Sequence, residues 1–263
     1  MRNPLMGLLL AAAAITMTVA TSPMALAQQA VPRTPEGKPD LTGLWVRNGD
    51  VPGQQGNNDS FSDAEPSMTA WAQARYRAVR EGVANPEDQG REDLDPALWP
   101  YCMPPGLPRI YLRPGANTFE IGQTPERVYQ VFEVHSTARV IYLDGREPLD
   151  GAPDMFMGNS IGKWDGDTLL VGTTGLNGLL TWLDGLGHPM TSALRMEERI
   201  RRTVDERLEI DFLFDDPKAY TRPWTGRKVY QLMPDWALLE YTHCEERARR
   251  EYLQDVLKGD TGP

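Results

Sequence analysis

Two short stretches hold the residue types that acid–base or binding chemistry requires. In Asp184-Gly185-Leu186-Gly187-His188-Pro189 an imidazole follows a carboxylate by four residues within a glycine-rich loop. Such a loop can present His188 or Asp184 as a general base, with the imidazole tuned near neutrality by the carboxylate. The plain alternative is an exposed turn histidine. The second stretch, Asp215 to Trp224, gathers two carboxylates with Tyr220, Thr221, Arg222 and Trp224. Aromatic rings beside a few fixed polar groups suit a small, partly apolar ligand, and Asp216 or Tyr220 could partner the base. The competing expectation is that Tyr220 and Trp224 plug the end of a barrel while Asp216 caps a turn. Trp164 and Trp182 are further ligand-lining candidates, although such residues are more often core.

Other chemistries find little footing. His135 and His243 read as surface or structural residues, and no His-x-x-x-His or Cys-x-x-Cys occurs. Asp144, Asp150 and Asp154 lack the spacing of a calcium-binding loop. Nucleotide-binding glycine loops are absent from the sequence. No metal or cofactor is therefore expected. With 27 basic against 37 acidic side chains, the formal net charge is −10, which repels phosphate backbones and argues against nucleic acid as a partner.

The N-terminus carries Arg2, then an uncharged apolar stretch from Leu5 to Ala20, then Ala25-Leu26-Ala27. A basic start, a short apolar run and an A-x-A end predict a signal peptide over residues 1–27. The run is shorter than the roughly 20 residues that span a bilayer, so no stable membrane anchor is expected after cleavage. A periplasmic or secreted location follows, with residues 28–263 as a single β-rich domain. In an oxidising compartment the two cysteines, Cys102 and Cys244, are expected to pair. On the chain-entropy account such a long closed loop contributes roughly 4–5 kcal/mol.

The elements that must position these groups are mostly strands. Leu41–Val46 is the first. Met68, Trp71, Ala72, Tyr76 and Val79 recur at helical spacing, with Ser67 as cap and Gly82 as stop. Residues 83–117 are rich in proline, and a loop of that length must be stapled or functional. Strands follow at Phe119–Ile121, Val128–Val134 and Arg139–Leu143. Ser160–Trp164 and Thr168–Val171 flank Asp165-Gly166, a strong hairpin signal. In Ala193–Arg202, Leu194, Met196 and Ile200 alternate against Arg195, Glu197, Arg199 and Arg201. Leu208, Ile210, Phe212 and Phe214 do the same against acids. Period two means one buried face and one wet face. Arg227–Leu232 and Ala237–Thr242 complete the strands, and a helix is expected over 245–258. About ten strands with short turns predict an antiparallel meander closed into a barrel, with a β-sandwich as the alternative.

The run Ser160-Ile161-Gly162-Lys163-Trp164-Asp165-Gly166-Asp167-Thr168-Leu169 resembles a widespread family of exported, uncharacterised bacterial proteins. So do Thr173–Asn177, Thr181–Asp184, Asp215–Trp224, Cys102–Gly106 and the Cys244-Glu245-Glu246 end. The resemblance spans most of the chain beyond the leader but brings no activity. The family pattern has His where this chain has Asn159, Asp where it has Gly172 and His where it has Met190. If these positions line one cavity, the resemblance implies a less polar pocket here, with Asn159 and Met190 among its lining. Gly43-Leu44-Trp45 is separately similar to the Gly-x-Trp of lipocalin-type barrels.

Three functions remain open at this point. The leading expectation is a barrel accommodating a small hydrophobic or aromatic molecule. The others are a cofactor-independent lyase, isomerase or hydrolase using the same pocket, and a structural envelope protein.

Overall fold

The computed structural model describes residues 30–47, 60–81, 104–112, 118–178 and 182–241. Among them, nine strands close into a barrel in sequence order. They are β1 (Gly43–Val46), β2 (Thr118–Gln123), β3 (Arg127–Phe132), β4 (Thr137–Tyr142), β5 (Asn159–Asp165), β6 (Thr168–Thr174), β7 (Arg195–Arg202), β8 (Arg207–Asp215) and β9 (Trp224–Leu232). One helix, α1 (Ala70–Arg80), accompanies them. No helix among the described residues is long and apolar enough to cross a membrane.

The barrel is not a plain meander. Asp165-Gly166 makes the expected hairpin between β5 and β6, with Gly166 at φ +56°. After β4, however, the chain does not turn back at Asp144-Gly145. Residues 143–158 return it to the starting end, and β5 pairs parallel to β4 through Ile141–Ser160 and Tyr142–Ile161. Parallel neighbours need a return connection rather than a tight turn, and this proline-bearing segment supplies it.

Two further expectations are corrected. Thr69, not Ser67, caps α1: its hydroxyl accepts the Ala72 N–H at 3.3 Å, while the Ser67 hydroxyl pairs with that of Thr221. No strand forms over 237–241. β9 already pairs with β1 on one edge and β8 on the other, so a strand there would have no free ladder to join. Trp236 and Leu239 accordingly stand exposed. Gly82, the 245–258 helix and both cysteines lie outside the described residues.

Alternation puts Met196, Glu198, Ile200 and Arg202 of β7 inside, with Leu208, Ile210, Phe212 and Phe214 of β8. The space they enclose is filled from one end. Within the proline-rich stretch, Arg109–Leu112 forms a buried 3₁₀ turn that drives Tyr111 into the barrel. Its ring meets Phe119, Phe132 and Phe212 edge-on at 5.3–5.9 Å. The Tyr230 hydroxyl donates to the Tyr111 carbonyl at 3.0 Å and holds the turn in place. Edge-to-face rings at these separations are favourable beyond their area burial.

Below those rings lies a fully buried charged layer. Arg139 pairs with Glu198 through two nitrogens and also donates to Ser160 Oγ at 2.9 Å and Thr173 Oγ1 at 2.7 Å. The Tyr111 hydroxyl donates to Glu198 Oε1 at 2.8 Å and accepts from Arg139 at 3.0 Å. A buried ion pair is tolerable only when its remaining lone pairs and protons find partners, and here the plug supplies one of them. Burial and the Glu198 carboxylate push the Tyr111 hydroxyl well above its usual pKa. The guanidinium stays charged, because Glu198 outweighs its loss of water.

The seam between β1 and β9 is short: Trp45–Leu232 and Val46–Gln231. Beyond it, the Phe61 carbonyl accepts the Arg227 N–H at 3.2 Å. Gly226 makes this approach possible, since a Cβ there would sit 2.6 Å from the Phe61 oxygen. Phe61 thus reaches Phe212 and Phe214 at 4.8 and 4.9 Å. It also brings the following segment, with Glu65 and α1, to the barrel mouth.

Candidate site at the barrel mouth

The loops after β6 and β8 meet at one end of the barrel. Gly178 allows the first to fold tightly, because a Cβ would lie 2.2 Å from the Thr191 carbonyl carbon. Asp216 ties the two together. It accepts the Thr191 N–H at 2.6 Å, the Thr191 hydroxyl at 2.9 Å and the amides of Lys218 and Ala219. With four donors on its two oxygens, Asp216 does the work of a turn cap and a loop tie.

Asp184 organises its own loop in the same way, accepting the N–H groups of Leu186 at 3.0 Å and His188 at 3.2 Å. Asx-type bonds of this kind fix short turns, and Gly187 takes the φ of +87° that the turn needs. The result points the imidazole back at the carboxylate, with Nδ1 2.6 Å from Asp184 Oδ2. His188 is buried, at 1% exposure, which rules out the exposed turn histidine.

What covers it comes from far away in sequence. Glu65 Oε2 lies 2.9 Å from His188 Nε2, and Tyr76 donates from its hydroxyl to Glu65 Oε1 at 3.1 Å. The Tyr76 ring stacks on the imidazole, and the Trp224 ring approaches it edge-on at 5.9 Å. Burial opposes charge on His188, but the bonds to Asp184 and Glu65 outweigh it and raise the pKa. Glu65 is held below its ordinary value: partial burial works against ionisation, and the bond from His188 overcomes it. Burial and the neighbouring Glu65 push Tyr76 up to about 12. The arrangement is a histidine between two carboxylates, one buried and one facing water.

Of the residues expected to form a site, Asp184, His188, Tyr220 and Trp224 come together here. Tyr220 packs on Trp224 at 5.6 Å, but its hydroxyl donates to the Pro189 carbonyl at 2.7 Å. Trp182 is buried in the same loop under the Arg75 guanidinium, 5.1 Å from its ring. Met190 is buried in the core. Arg222 is exposed. Asn159 is buried at the start of β5, opposite Thr174, while Gly172 is exposed on β6 opposite Ile161. Trp164 sits beside Leu169 and the Asp165-Gly166 turn, at the other end of the barrel by register.

The Trp224 Nε1–H is buried and has no hydrogen-bond acceptor among the described residues. An unpaired buried donor costs roughly 1–3 kcal/mol.

Sequence reasoning missed Glu65, Tyr76, Arg139 and Glu198. The last was legible, since it shares the inward parity of Met196 and Ile200. Glu65 was not: 123 residues separate it from His188, and no local pattern marks it.

The fold and site together define a closed, plugged β-barrel with an aromatic, carboxylate-flanked histidine at one mouth. Comparisons with protein-family models, curated proteins and solved structures find no match to this chain.

Proposed function

We propose that this chain is a periplasmic barrel protein that binds a small, largely apolar or aromatic molecule at the mouth beside Trp224. The observation carrying this reading is the unpartnered Trp224 Nε1–H among the rings of His188, Phe214 and Tyr220. A flat apolar body would stack there while one oxygen accepts the indole N–H. Because Tyr111 and the phenylalanines fill the barrel at its level, the mouth is a better seat than the deep interior. The leader-like N-terminus and the motif resemblance support export. Incubation with mixed cell extract followed by native mass spectrometry tests the binding, and retention of an aromatic or apolar adduct is expected. A protein that retains nothing overturns it.

A second reading is favoured by one geometry. Asp184 and His188 stand at hydrogen-bond distance, as a general base and its orienting carboxylate must. On this reading the bound molecule is a substrate for proton transfer, and Glu65 faces it from the solvent side.

A further inference from the structure

The segment that covers His188 is fastened by contacts that do not titrate near neutrality, among them Arg75 over the Trp182 ring and the buried Ala72, and by one that does. Its base is tied by bonds that do not titrate. Thr69 N–H donates to the Ala219 carbonyl at 2.9 Å, Thr221 N–H to the Ser67 carbonyl at 2.8 Å, and the Thr69 hydroxyl to the Lys218 carbonyl at 3.0 Å. Its second fastening is the contact of Glu65 and Tyr76 with His188, and there every member can gain or lose a proton.

We propose that Glu65, His188 and Asp184 form a proton-operated latch that holds α1 over the barrel mouth, closed while the imidazole carries two protons and released when it carries one. Its role in admitting or discharging a ligand rests on the binding reading above; the latch itself does not.

A doubly protonated imidazole donates from both nitrogens, while the neutral ring has a single N–H. Asp184 is fully buried and held by two backbone amides, so the remaining proton stays on Nδ1. The Nε2 lone pair then faces the Glu65 carboxylate, and attraction becomes repulsion. The Tyr76 ring loses its charged stacking partner in the same step.

The groups facing His188 are few. Its own loop contributes Asp184, and the cover contributes Glu65 and Tyr76, with Arg80 acting on Glu65. Trp224, at the start of β9, approaches the ring edge-on, and Tyr220 of the β8–β9 loop lies within electrostatic reach of Asp184, Glu65 and Asp216. Neither tyrosine ionises near neutrality, since both are raised. The histidine, itself raised, is thus the group among them that changes state, above the ordinary histidine value.

The test is hydrogen exchange on the ligand-free full chain between about pH 5 and 9, corrected for intrinsic rates, with the His188 ring followed by NMR. Peptides covering 70–80 should lose protection about tenfold as His188 deprotonates, while those covering β7 and β8 hold theirs. Glu65→Gln, at a solvent-facing position, should fold normally and abolish this pH dependence. Protection of 70–80 that ignores His188 titration overturns the latch, as does a Glu65→Gln profile matching the unaltered protein or a ring that never titrates. Failure to find a ligand would leave these outcomes unchanged, so the two proposals fail separately.

Discussion

The ring of Tyr76 lies flat on that of His188, with centroids 4.6 Å apart and planes within 8°. This contact places a phenol from α1 over an imidazole whose two nitrogens both face carboxylates.

Because the His188 pKa is raised by folding, its contribution to stability is complete below the ordinary histidine value. It is lost as pH rises through the raised value. Glu65 acts in the opposite sense: its lowered pKa contributes above the ordinary carboxylate value and is lost on acidification. Urea unfolding at a series of pH values should therefore show a plateau between these limits. The alkaline fall should shrink in His188→Asn, and a stability profile that keeps rising above neutral pH would count against the assignment.

Arg139 and Glu198 predict a different behaviour. Arg139→Met leaves a buried carboxylate without its countercharge and should cost about 3–5 kcal/mol. Combining it with Glu198→Leu should recover a large part, since the charges then leave together. Tyr111→Phe should cost about 1–3 kcal/mol by removing one donor to Glu198. Chemical denaturation of the four proteins measures all of these.

Gly226→Ala would force a methyl group against the Phe61 backbone oxygen and Cβ. Overpacking of this kind costs about 1–3 kcal/mol. The clash is with the backbone of the covering segment, so adding Phe61→Ala should not rescue it. Thermal melts of the single and double variants distinguish backbone crowding from ring crowding.

Trp224→Phe keeps an aromatic ring but removes the indole N–H. Once a ligand is in hand, its affinity should fall by about 1 kcal/mol, roughly fivefold in Kd. Unchanged affinity, measured by titration calorimetry, would place the ligand away from Trp224.

Much of this architecture is written in local order. The strict alternation in β7 and β8 assigns each side chain to the wet or the buried face, because neighbouring residues of a strand point opposite ways. Asp165-Gly166 turns the hairpin that joins β5 and β6. The Asp184–His188 relation also lies within a few residues and could be anticipated. What local order could not convey is the parallel entry of β5, the passage of Tyr111 into the barrel and the meeting of Glu65 with His188. Each joins segments distant along the chain through side-chain volume and charge, and those terms take their values only once the barrel has closed and excluded water.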